Sequence, residues 1–472
     1  MFSASRKIAH YFAALGLLML ATVAAAPAYA AETSRPVHSF KLDNGMQVVV
    51  IPDRRAPVVT HMVWYRVGAA DEPPGKSGIA HFLEHLMFKS TETLATGEFS
   101  RTVAKLGGQD NAFTSQDATA YFQRISRDHL ETVMRMEADR MVNLRLVDKE
   151  VETERDVVIE ERNSRVENRP ASLLNEHMDA ALYMSHPNGI PVIGWMHEIK
   201  ELDRQDALDF YKEHYGPNNA ILIVAGDVTE DEVKRLATAT YGKVPANERI
   251  VKRKRTVEPP QLAPRRMTLE DESVGQPSWR RYYLAPSYHS AKTEGEAEAL
   301  DLMMKLFASG TTSRLYQSLV VDKKIASSIS GYFAGYGLDN GKIVIAGIPA
   351  EGVTLAEFEA AIDKEIEIFK KTGVTEEDLK RIVGLYTAEY IYETDSQSTL
   401  ARRYGWGMVN GSTIEEIDGW PKAIAKVTPD DVKRVAAKYF NANASVTGKL
   451  IPKSRDAADA SSEKAGPAKS KS

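Results

Sequence analysis

The chain has 472 residues, of which 43% are hydrophobic and 26% charged, enough to bury more than one core and to suggest at least two domains. A formal net charge of -5 supplies no clustered positive field for nucleic acid or an anionic membrane. The absence of cysteine excludes a disulfide scaffold, a thiolate nucleophile and a cysteine-held metal, so any metal must use histidine and carboxylates.

At the N-terminus, Arg6 and Lys7 precede an apolar run from Tyr11 to Ala26, and Ala28-Tyr29-Ala30 presents small residues for cleavage. This predicts a signal peptide over residues 1–30, export to a bacterial periplasm and no stable membrane insertion, because the run falls short of the roughly 20 residues a spanning helix needs. Two β-rich runs, His38 to Leu42 and Met46 to Val50, flank the turn Asp43-Asn44-Gly45, and Val58 to Val67 is a third. A helix is predicted from Gly78 to Lys89, with Ser77 as N-cap and Ile79, Phe82, Leu83 and Leu86 as its apolar stripe. Further strands are predicted over Ala120 to Ser126 and Ala220 to Val228, with helices around 128–145, 147–167 and 203–215. Strands and helices mix without strict alternation, which favours an α+β fold over a doubly wound parallel sheet.

Asp206 to Ala220 and Asp430 to Ala444 echo one another, with Asp206/Asp430, Tyr215/Tyr439, Asn219/Asn443 and Ala220/Ala444 in one register. Each reads as a helix running into a strand, so the chain is expected to hold two related domains, over 36–250 and 267–452. The join, 251–266, contains Lys252-Arg253-Lys254-Arg255 and then Pro259, Pro260 and Pro264, and reads as a solvated linker rather than a basic docking patch. Residues 453–472 read as a disordered tail.

The stretch His81-Phe82-Leu83-Glu84-His85 carries the chemistry. Residues four apart on a helix share a face, so both imidazoles can reach one ion with Glu84 beside them. Neutral imidazole suits Zn²⁺, and a catalytic zinc usually takes three protein ligands and a water. Glu84 is then best used as the base for that water. Two unrelated surface histidines are the bland alternative. A third ligand is sought among Glu152, Glu154, Glu160 and Glu161, on a charge-rich helix of the kind that is usually a solvated face. Glu154 and Glu161 lie on one face about 10 Å apart along the axis, so only one can touch the ion while the other orients a ligand.

The inverted His-x-x-Glu-His motif, Gly107-Gly108 with Asn111-Ala112-Phe113-Thr114, and Glu154 seven residues before Glu161 together resemble the pitrilysin/insulinase family of inverted zincins. In that family the ligating glutamate follows the second histidine by about 76 residues, which selects Glu161 and leaves Glu154 in support. The resemblance implies duplicated α+β domains, each a mostly antiparallel sheet packed with helices, forming half of a clamshell. It places Asn111 and Ala112 on an edge strand that pairs with substrate backbone, where the residues alone read as loop. Gly310-Thr311-Thr312-Ser313-Arg314-Leu315-Tyr316 is similar to the family's helix entry around Ser-Arg-Leu and is given no catalytic role.

The implied activity is that of a zinc endopeptidase on peptides or unfolded segments, with one Zn²⁺ per chain. The alternatives are a non-catalytic scaffold subunit and a zinc-dependent binding module, and Glu84 discriminates against the latter because binding does not require it. One departure stands out. Members that complete the site within one chain carry an Arg and, seven residues later, a Tyr, where this chain has Val320 and Ser327. The expected partner is therefore a related Arg/Tyr-bearing subunit, unless Tyr332 or Tyr336 fills the role.

Overall fold

The computed structural model describes residues 36–453. The expected signal peptide, and all but the first residue of the expected tail, lie outside them. In the first half the strands are β1 (His38–Lys41), β2 (Gln47–Pro52), β3 (Val58–Tyr65), β4 (Ser90–Thr91), β5 (Gln109–Thr114), β6 (Thr119–Ser126), β7 (Leu144–Arg145) and β8 (Ala220–Gly226). The helices are α1 (Ile79–Leu86), α2 (Glu98–Lys105), α3 (Leu130–Arg140), α4 (Asp148–Arg162), α5 (Pro170–Leu182), α6 (Met196–Ile199), α7 (Arg204–His214) and α8 (Glu230–Ala239). In the second half β9 (Arg265–Asp271) and β10 (Ser278–Ala285) precede α9 (Glu296–Phe307) and α10 (Arg314–Tyr316). After them come β11 (Ala326–Ala334), β12 (Gly341–Pro349), α11 (Leu355–Thr372), α12 (Glu376–Glu393), α13 (Gln397–Val409), α14 (Ile414–Ile424), α15 (Pro429–Tyr439) and β13 (Ser445–Pro452).

The fold is α+β, with two mostly antiparallel sheets built to one plan. The first runs β1-β2-β8-β3-β6-β5 and the second, read in the same sense, β9-β13-β10-β12-β11. In each, the last strand of the half inserts parallel to the first strand of the shared plan and antiparallel to the next, as β8 does between β2 and β3 and β13 between β9 and β10. The sequence echo maps onto this point: α7 leads through a turn at Pro217–Asn219 into β8, and α15 through a turn at Ala442–Ala444 into β13. Two sheets of one topology in one chain are an internal duplication.

The central strands are apolar without alternation because both faces of their sheet are covered. On β2, Val48 and Val50 join the core under α1 and α3, while Val49 and Ile51 face a second cluster. That second cluster is completed from the other half of the chain, by Leu400, Ala401 and Tyr404 of α13. Reciprocally, Leu174, Met178 and Leu182 of α5 pack on Tyr282, Val344, Val446 and Leu450 of the second sheet. Each half thus completes one face of its sheet with a helix from the other half.

Three local expectations are corrected. Ser77 does not cap α1; Gly78 does, at φ 87° in the left-handed region, and the Glu72 carboxylate accepts from the backbone N–H of Gly78 and Ala80, both at 2.9 Å. The predicted helix 128–145 is shorter, because Leu144 and Arg145 leave it to pair with β4. The 251–266 segment is only partly solvated: Lys252 and Lys254 are exposed, but Arg253 and Arg255 turn inward. Arg255 meets the Asp117 carboxylate at 2.8 Å, and Arg253 donates to the Asp117 carbonyl at 2.6 Å and lies 3.2 Å from Asp71. Among the described residues no helix is long and apolar enough to cross a membrane.

Candidate metal centre

Helix α1 is seated by its apolar stripe, since Ile79, Phe82, Leu83 and Leu86 are fully buried in the first core. That orientation leaves His81, Glu84 and His85 to converge toward α4 rather than solvent; His81 is 8% and Glu84 9% exposed. Helix α4 brings Glu161 across from them. Its Oε2 lies 3.6 Å from His81 Nε2 and 3.3 Å from His85 Nε2. Around a tetrahedral zinc with bonds of about 2.0–2.1 Å, neighbouring ligand atoms stand about 3.4 Å apart. The two carboxylate–imidazole distances match that figure, and all three donors lie within 4.8 Å of one another. Glu161 Oε2 is moreover buried without a hydrogen-bond partner, the condition a cation relieves. The donor set thus fits a zinc ion.

Two turns back on α4, Glu154 Oε1 lies 2.9 Å from His85 Nδ1, and its other oxygen accepts from Lys89. The second oxygen of Glu161 meets Arg165 at 2.7 Å, one helical turn on. Glu84 stands apart from these contacts and accepts from Thr114 Oγ1 at 2.6 Å. Thr114 ends β5, which carries Asn111 and Ala112 and, among the described residues, pairs only with β6, opposite Phe122 and Tyr121. The other side of β5 is the open edge of the sheet.

Burial, and then the neighbouring His85, push His81 down to about 4, which keeps it neutral at pH 7, the form that ligates. Burial acts in the same direction on His85, but its hydrogen bond to Glu154, its close contact with Glu161 and the charges of both outweigh it and draw the ring up to about 9. The His85 contact holds Glu161 below the usual carboxylate range. Burial raises Glu84, opposed chiefly by the Thr114 hydrogen bond.

Glu72, Lys89, Thr114 and Arg165 support the site through contacts that no motif marks. Only Arg165 had a signal, its i,i+4 spacing from Glu161. In the second half, Ser313 precedes α10 and its hydroxyl donates to the Gly310 carbonyl at 2.7 Å. Val320 packs against the second core, and Ser327 donates to the carbonyls of Ile348 and Pro349 at 3.2 and 3.3 Å. Tyr332, on edge strand β11, is 54% exposed, and Tyr336 is 71% exposed and stacked on Tyr288.

The chain is 31% identical over 449 residues to the zinc protease PqqE of Helicobacter pylori, covering 93% of this chain and 98% of that protein. It belongs to peptidase family M16. Residues 47–194 match the family description "Insulinase (Peptidase family M16)", and 201–385 match "Peptidase M16 inactive domain". The convergent histidines and glutamates all fall in the first of these M16 segments. A crystal structure of a protease from Helicobacter pylori, 30% identical, superposes with a TM-score of 0.83 over 89% of this chain and all of that one. Another M16 relative is a probable mitochondrial-processing peptidase subunit beta of Arabidopsis thaliana, 24% identical over 84% of this chain and 75% of the relative.

Proposed function

We propose that this M16 protein is a zinc-dependent endopeptidase acting on peptides or unfolded protein segments. His81, His85 and Glu161 hold the metal, Glu154 orients His85 from behind, and Glu84 is the general base. The observation that carries the reading is that the buried carboxylate of Glu84 is tied through Thr114 to the open edge strand β5, beside the three converging donors. A zinc ion held by these three side chains would polarise a peptide carbonyl and lower the pKa of a water molecule toward about 7. Glu84 takes the proton from that water and delivers it to the leaving amine. Burial favours this, because it raises the carboxyl toward the working pH. Asn111 and Ala112 pair with an extended substrate backbone by adding a strand to β5, a mode that reads main chain and demands little of side chains.

The reading includes a companion. Val320 is apolar and committed to the core, and Ser327 is short and already bonded to carbonyls of its own sheet. Neither can grip a substrate carbonyl or donate to a developing oxyanion. Loss of one such donor costs about 10² to 10³ in rate, so two leave little activity. A second copy lacks the same pair, so the companion is a related subunit that carries Arg and Tyr. The leader over 1–30 supports a periplasmic location, and we place the functional segments at 36–250 and 267–452, joined by 251–266.

The test is to purify the chain, determine its zinc content and measure peptide turnover before and after adding a related Arg/Tyr-bearing subunit. One zinc per chain, little turnover alone and strong turnover in the pair are expected. Vigorous turnover by the isolated chain, unchanged by the companion, refutes the partner requirement. Full zinc occupancy with no turnover in any combination favours the scaffold alternative.

A further inference from the structure

The metal donors come from two helices, α1 and α4, and the proposed centre needs their spacing held to about 0.5 Å. At one end the helices are joined by Glu154, which receives both His85 and Lys89. The opposite end of α1 has no direct bond of this kind to α4. It is held through an intermediary, the segment Ile193-Gly194-Trp195.

That segment is wedged against the start of α1. The Trp195 N–H donates to Ser77 Oγ at 2.9 Å, and the Ser77 N–H donates to Glu198 just beyond at 2.6 Å. Gly194 sits at φ 87°, and a Cβ on it would lie 2.4 Å from the Ser77 carbonyl oxygen; a Cβ on Gly78 would lie 2.6 Å from the Ile193 carbonyl oxygen. The two backbones therefore touch with no room for a side chain between them. From the other side, Arg162, next after Glu161 on α4 and 2% exposed, donates through Nη1 to the Gly194 carbonyl at 2.6 Å. Three further bonds go to carboxylates: Glu176 receives Nη1 and Nη2 at 2.9 and 2.8 Å, and Glu167 receives Nε at 2.9 Å.

We infer that Arg162 is a positioning residue for the metal centre, fixing the N-terminal end of α1 to α4 through Gly194 while Glu154 fixes the other end. One residue after Glu161, it projects about 100° away from the metal face and touches no donor, so it acts through helix placement alone. Glu176 lies on α5, the helix that packs on the second sheet. The second half of the chain thereby helps to set the geometry of a site whose donors all come from the first.

This inference rests on the proposed zinc site, and its test reads zinc affinity in the metal-free chain rather than activity. Arg162→Met leaves Glu176 buried and unpaired and is expected to lower both Tm and zinc affinity. The double variant Arg162→Met/Glu176→Met removes both charges, and replacing a buried pair by apolar residues is often neutral for stability. Its Tm is expected to recover toward wild type while its zinc Kd stays raised by about 10- to 100-fold, the range for groups that orient ligands. Should both variants fail to fold, Arg162→Lys, which keeps the charge but not the fork, is read the same way. Unchanged zinc affinity in the folded variants, or affinity that recovers together with Tm, overturns the inference and leaves the zinc site standing. If the wild-type chain binds no zinc, the site and the inference fall together.

Discussion

The contact between Thr114 and Glu84 is the sharpest lever on the proposed mechanism, because it touches the base and none of the metal donors. Thr114→Val keeps the shape of the side chain and removes the hydroxyl. The bond lost is 2.6 Å long and its acceptor is a buried carboxylate; hydrogen bonds to charged groups contribute about 1.5–3 kcal/mol. The bond is already made in the free enzyme, so only the share of it gained on reaching the transition state enters kcat/KM; at 1.36 kcal/mol per factor of ten, the full value caps the fall at about 10- to 100-fold. The sign of the pH effect is fixed independently. The hydroxyl lowers the Glu84 pKa against the rise caused by burial, so removing it raises that pKa further. The base form is then lost at a higher pH, and the acidic limb of the kcat/KM profile moves up. Zinc content should be unchanged. The assay is a pH–rate profile of the zinc-loaded chain with its companion, for wild type and variant. An acidic limb at the same pH, with kcat/KM within about twofold of wild type, would refute the assignment of Glu84 as a base tuned by Thr114.

Two further outcomes follow from particular contacts. Glu161→Gln removes a donor that faces both imidazoles and should weaken zinc binding far more than Glu154→Gln, whose contact is with the rear nitrogen of His85; the latter should cost about 10- to 100-fold, and equilibrium zinc titration of both variants decides the order. His214 is pushed down to about 4 by burial, with Arg253 adding to the effect. Its folded pKa lies below the ordinary 6.5, so the stability it gives is complete above about pH 6.5 and is lost as pH falls toward 4, by at most about 3 kcal/mol. His214→Gln should flatten that acidic loss in urea unfolding curves recorded from pH 7.5 to 4.5, and an unaltered loss would contradict the account.

How much of this was written in the sequence differs from residue to residue. The pattern of His81, Glu84 and His85 was legible because helical periodicity alone puts them on one face, with Phe82 and Leu86 on the other. The same periodicity could not separate Glu161 from Glu154, which are seven apart and share a face; only the family spacing ranked them. Strand β5 was not legible from its residues, since Gln109-Asp110-Asn111-Ala112-Phe113-Thr114 shows little apolar alternation. It is polar because its outer edge is open and its faces are only partly covered. The exchange of α5 and α13 between the two sheets left no local trace, because an apolar helical stripe does not reveal which sheet it will meet. Arg253 and Arg255 read as solvated for the same reason: their partners Asp71 and Asp117 lie far away in the chain.

The central claim is that Glu84 performs chemistry at a zinc ion it does not hold, and the most direct measurement is zinc content and peptide turnover of Glu84→Gln side by side with wild type and His81→Ala. The amide keeps the size of the side chain and can still meet Thr114, but it cannot take a proton from water. Glu84→Gln should retain about one zinc per chain and lose hydrolysis, while His81→Ala should lose the metal. Full hydrolysis by Glu84→Gln, or loss of zinc from it comparable to that of His81→Ala, would contradict the account.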